Sequence, residues 1–144
     1  MEQLIQQLKV ILGTNFALYL KSHNFHWNIE GSNFPQYHSF LDSLYNSIWE
    51  QNDDIAEHIR QLNSYAPGSF TRFLELSAIE EELNIPQALE MMSILKDDND
   101  KFIIQLRAGI VVAEQANEPA VGNFLQDLLA AHQKHAWMLR SIIK

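Results

Sequence analysis

The side chains best suited to holding a metal ion crowd into one stretch, "KSHNFHWNIEGSNFPQYHSFLDSLYNSIWEQNDDIAEHI", from Lys21 to Ile59. It carries His23, His26, His38 and His58, four of the six histidines, with Asp42, Asp53, Asp54 and Glu57. Mixed imidazole and carboxylate ligands suit iron or zinc better than calcium, which prefers oxygen alone. Spacing limits which of them can share an ion. On a helix His38 and Asp42 are one turn apart, and so are Asp53 and Glu57. Asp42 and Asp53 are separated by ~16 Å along the axis at ~1.5 Å per residue. Metal–ligand bonds are only about 2 Å long. One helix therefore cannot wrap all four groups round one ion; it presents two half-sites.

Two half-sites on one helix imply a two-fold axis. If the helix pairs antiparallel with its copy about positions 47–48, residue n faces residue 95 − n of the copy. Asp42 then meets the partner's Asp53, and His38 meets the partner's Glu57. Each half-site is completed by the other chain, giving two equivalent sites, as a self-complementary interface requires.

The elements that must position these groups read as long helices. Leu4, Leu8, Ile11 and Leu12 begin an apolar stripe at helical spacing, which predicts a first helix over Glu2–Ile29, ended by Glu30-Gly31-Ser32-Asn33. A second helix is predicted from Pro35, with Asn33 as its cap, to about Asn63. Ser64-Tyr65-Ala66-Pro67-Gly68-Ser69 breaks the pattern, and a short helix over Thr71–Ser77 follows. A third long helix covers Pro86–Gln115, Asn117-Glu118-Pro119 turns the chain, and a fourth runs over Ala120–Ile143. No strand alternation occurs. The expected fold is all-α: a four-helix bundle with a short extra helix in the long connection, residues 64–85, between helices two and three. One domain is expected over residues 1–144.

On the second helix Leu41, Leu44, Ile48, Ile55, Ile59 and Leu62 share one arc, the core stripe. His38, Asp42, Trp49, Asp53 and Glu57 share another, ~130–150° away at ~100° per residue. A tryptophan amid polar residues marks an interface rather than a merely solvated face.

Bulk composition narrows the function classes. The chain has 144 residues, 47% of them apolar, and a net charge of −8. Its ten Lys and Arg are scattered, so no basic stripe serves nucleic acid. It has no cysteine, which excludes disulfides, thiol catalysis and zinc-thiolate sites and fits a reducing cytoplasm. No signal peptide and no membrane span are expected.

"SHNFHWNIEGSNFPQYHSFLDSLY", followed by "DDIAEHI" and, near the C-terminus, "KHAWMLRSI", resembles the Dps family of dodecameric mini-ferritins along nearly the whole chain. The resemblance implies a ferritin-like bundle. It also implies iron held between two-fold-related subunits, by His26, His38 and Asp42 of one and Asp53 and Glu57 of the other. The implied activity is that of a ferroxidase: Fe(II) is oxidised, preferably by hydrogen peroxide, and stored as ferric mineral in a hollow shell. That chemistry protects against oxidative damage. The carboxylates would offset the ionic charge and favour Fe(III), the harder cation. Trp27, beside His26, is a candidate sink for stray oxidising equivalents or a packing aromatic, and Trp49 lies where the two copies would cross.

The chain departs from the family pattern in places. His58 stands where the family usually has a basic residue, as a further candidate ligand or a solvated histidine. His23, one turn before His26, is a candidate for weak binding or for support of the ligands. Glu114, Glu118 and Asp127 are the candidate acids of an iron-admitting pore, although Asn123 stands at a position that is often acidic. Glu80-Glu81-Glu82 reads as a solvated run. No basic tail is seen, and with the acidic charge direct DNA binding is not expected. The competing readings are a zinc-holding oligomer without catalysis and a purely structural helical oligomer. A di-iron oxygenase is disfavoured, because no Glu-x-x-His pair occurs.

Overall fold

The structure, a computed structural model, describes all of Met1–Lys144. Five helices and no strand compose it: α1 (Glu2–Asn28), α2 (Phe34–Gln61), α3 (Phe70–Leu76), α4 (Ala88–Gln115) and α5 (Pro119–Ile143). The four long helices and the short one in the long connection are those read from the sequence. The boundaries differ where proline acts. Gln87, after Pro86, is still extended at φ −70° and ψ 159°, so α4 begins two residues later than the sequence predicts. Pro119 is itself the first residue of α5, a position where a missing N–H is not needed. Asn33 occupies the cap position of α2, but its side chain makes no capping hydrogen bond.

Packing follows the apolar stripes. α1 lies against α2, α4 and α3, and α4 lies against α5, whereas α2 and α5 scarcely touch. Leu8, Ile11, Leu41, Ile48, Ile55, Phe102, Leu106 and Leu125 are all fully buried. Gly13 is where α3 docks: a Cβ there would lie 2.9 Å from Leu76 Cβ and 3.2 Å from the Phe73 carbonyl oxygen. The crossover is pinned by Lys21 of α1, which donates to the Glu80 carbonyl and pairs with buried Asp98 of α4 at 2.6 Å. Burial raises the Asp98 pKa and Lys21 opposes that shift.

Polar groups bridge the open seam between α2 and α5. The side-chain amide of Gln51 lies 2.9 Å from His132 Nε2, where its NH2 can donate to the ring, and Ser47 Oγ is 3.4 Å from His135 Nε2. Asn99 of α4 donates to the His132 carbonyl and turns its Oδ1 towards His132 Nδ1 at 2.7 Å. Burial drives the His132 pKa well down and that of His135 to about 4, so both rings are neutral at pH 7.

Candidate metal centre

The corner between α1 and α2 brings His26, His38 and Asp42 together. Gly31, at φ +121°, permits the tight turn that folds α2 back along α1. The His26 and His38 rings stack at 3.8 Å with 17° between planes. Each donates Nδ1–H to the backbone carbonyl of the other residue, at 2.9 Å from His26 and 2.8 Å from His38. A carbonyl can only accept, so both protons sit on Nδ1 and both Nε2 lone pairs are free. That is the support that fixes the tautomer of a metal-ligating histidine. Asp42 Oδ1 is 4.0 Å from His26 Nε2. This is too long for a hydrogen bond and close to the ~3–4 Å between two ligands each about 2 Å from one ion.

Asp53 and Glu57 lie further along the same helix, both exposed, and the ion pairs of the chain are formed by other residues. No three His, Asp or Glu side chains of the chain converge closely enough to hold an ion alone. Within one copy the structure thus gathers one half-set at the α1–α2 corner and leaves the other apart. Trp49, between them, is 51% exposed and Trp27 is 59% exposed, large areas for indole rings.

His23 is held beside the corner. It lies flat on Tyr45 at 3.7 Å and 8°, contacts Trp27 at 4.1 Å, and shares a hydrogen bond of 2.9 Å between Nδ1 and the Tyr19 hydroxyl. Burial and nearby His26 lower its pKa, against Asp42, and burial raises that of Tyr19. His58 lies elsewhere. It stacks on Phe124 of α5 at 4.0 Å and donates Nδ1–H to the Asp54 carbonyl. It sits about 140° round α2 from Asp53 at ~100° per residue. Glu114 and Glu118 line one depression at the α4–α5 turn with Asn117, Asn123 and Gln126. Asp127 is exposed but does not line it.

Tyr19, Tyr45 and the Gln51–His132–Asn99 network were not singled out by sequence reasoning. A signal existed for the tyrosines: Tyr19 is one turn before His23, and Tyr45 follows Asp42 by three residues. None existed for the network, which joins three helices far apart in the chain.

The fold and its half-sites define a class, and comparison with known proteins agrees. The model of the ferritin-like domain matches residues 5–144. The chain is 32% identical over 149 residues to the DNA protection during starvation protein of Brevibacillus brevis, covering all of both chains. It is 33% identical over 143 residues to antigen TpF1 of Treponema pallidum, covering 96% of this chain and 79% of the relative. The crystal structure of a Dps protein from Bacillus brevis superposes with a TM-score of 0.96 at 28% identity, covering 99% of this chain and 96% of that one. The chain belongs to the Dps family of ferritin-like proteins, which makes it, in the broad sense, an iron-storage mini-ferritin.

Proposed function

We propose that the chain is a ferroxidase that binds Fe(II) between two-fold-related copies, oxidises it with hydrogen peroxide or O2, and stores the ferric product in a dodecameric shell. One observation carries the reading. His26 and His38 are locked with both Nε2 lone pairs free beside Asp42, yet no three such groups of one chain converge closely enough to hold an ion alone. Asp53 and Glu57, exposed on the same helix, are the groups a second copy would bring.

An apolar surface supports the pairing. Leu20, Trp27, Phe70, Leu74 and Leu83 line one groove between α1 and α3. Phe16 and Phe73 line both that groove and the depression containing Asp53. A patch of this kind on a water-facing surface needs a cover, and a second copy covers it while delivering the missing carboxylates. Glu114 and Glu118, with Asp127 further along α5, are the acids we assign to iron admission. No helix is long and apolar enough to cross a membrane, and the cytoplasm is the compartment the cysteine-free chain suits. At −8 per chain the assembly repels phosphate, so protection would come from removing iron and peroxide rather than from coating DNA.

The test is peroxide-driven Fe(II) oxidation followed optically. Supporting groups behind metal ligands already matter by ~10–100-fold, so Asp53→Ala and Glu57→Ala should each slow the initial rate by at least that much. Both positions are exposed, so the fold should be kept. Unchanged initial rates would show that the site is elsewhere. Fe(II) binding without oxidation in the unaltered protein would leave a non-catalytic metal holder.

A further inference from the structure

Phe34 opens α2, one turn before His38, and its ring is the third member of a stack. The Phe34 and His38 centroids are 4.8 Å apart with 29° between planes, and His38 lies 3.8 Å from His26 at 17°. Two rings cannot both cover one face of an imidazole, so Phe34 takes the face of His38 that His26 leaves open. The phenyl does not fill the core. It is 39% exposed and stands outside both the buried cluster and the side chains packed against it. An ion on Nε2 draws electron density out of an imidazole and leaves the ring positive. With both lone pairs taken, two positive rings face each other at 3.8 Å and repel. His26 has a carboxylate to offset this, Asp42 Oδ1 at 4.0 Å from Nε2, whereas no carboxylate of the chain comes as close to His38. His38 has instead the face of a phenyl ring, where the quadrupole is negative.

We propose that Phe34 is a positioning residue that strengthens the binding of a divalent cation at His38 through a cation–π contact with the metal-bearing imidazole. The proposal rests on the reading of the centre given above, because it needs His38 to be a ligand. In the empty site the phenyl keeps the imidazole flat against His26. Once the ion is bound, the same phenyl face attracts the charge passed into the imidazole and offsets its repulsion by the His26 ring. The contact is therefore stronger in the loaded site than in the empty one, and only that difference adds to affinity. An aliphatic side chain of similar size fills the space but has no negative face. For a partly exposed pair the gain corresponds to roughly two- to five-fold in the binding constant.

The experiment titrates Zn(II), which has no redox chemistry of its own, into the full-length protein by calorimetry. Position 34 alone carries phenylalanine or its mono-, di- and trifluorinated forms. Fluorination nearly preserves the shape of the ring while stepping down the negative potential of its face. The logarithm of the binding constant should fall stepwise along the series, whereas the melting points of the metal-free proteins should not follow it. Phe34→Tyr keeps the aromatic face and should keep the affinity. Phe34→Leu should bind Zn(II) roughly two- to five-fold more weakly, a second reading that needs only natural residues. An affinity indifferent to fluorination, with Zn(II) binding still lost in His38→Ala, overturns the role of Phe34 alone. Zn(II) binding that survives His38→Ala unchanged overturns the centre and the role of Phe34 with it.

Discussion

His26 and His38 each commit one nitrogen to the backbone of the other and keep the second for a ligand. His132 and His135 are the opposite case, with rings buried at the α2–α5 seam and held neutral. For both, the folded pKa lies below the unfolded one, so the folded state binds fewer protons. Their contribution to stability is complete above about pH 6.5 and is lost as pH falls, for His135 as it falls towards about 4. For His135, a drop from 6.5 to about 4 corresponds to up to roughly 3 kcal/mol. Urea midpoints followed from about pH 7 to about pH 4 should fall, and His135→Leu should flatten that slope. A slope unaltered in the variant would exclude His135 as a source. These histidines were not legible beforehand, because their partners (Gln51 and Asn99 for His132, Ser47 for His135) come from other helices and such polar contacts leave no periodic trace. The stripe of candidate ligands could be picked out because its members repeat at the helical spacing.

At the scale of elements, a short helix is set on a long one by a missing side chain. Gly13→Ala would gain about 1 kcal/mol of helix propensity. Its Cβ would however meet Leu76 Cβ and the Phe73 carbonyl, neither of which is the flexible end of a side chain. Overpacking of this kind costs ~1–3 kcal/mol, so a net loss is expected, seen as a melting point lower by a few degrees. Gly109→Ala should be milder, because its neighbours are the terminal methyls of Ile11 and Leu125. A more stable Gly13→Ala protein would show that α3 does not need this approach. The long helices could be read from apolar spacing and their ends from proline and glycine. The rest of the docking of α3 could not, because seven residues carry little periodicity and Gly13 is silent in any pattern of apolar positions.

For the whole molecule, the proposed shared site and the exposed apolar groove lead to one prediction: assembly should be needed for activity. Phe70 and Leu74 are 76% and 55% exposed, stand on α3, and are not among the candidate ligands. The double substitution Phe70→Glu and Leu74→Glu should shift light scattering towards monomers. It should also abolish rapid Fe(II) oxidation, although all five candidate ligands remain. Rapid oxidation by a monomer would refute the shared site. The spacing of Asp42 and Asp53 is what suggested a two-fold register, whereas the apolar groove was not legible in the sequence, because its residues come from α1, α3 and the crossover.

The crossed His26 and His38 bonds tie the end of α1 to the start of α2 through the turn at Gly31. Any ion that takes up both Nε2 atoms must therefore stiffen that turn, and by thermodynamic reciprocity the order of the turn sets the affinity for the ion. Gly31→Ala, which puts a side chain at φ +121°, strains the turn by ~1–3 kcal/mol. It should weaken Fe(II) or Zn(II) binding in a calorimetric titration without altering one ligand. Conversely, metal loading should slow amide exchange across residues 29–33. A turn that supplies no ligand of its own would then act as a tuning screw for the metal affinity of the corner beside it.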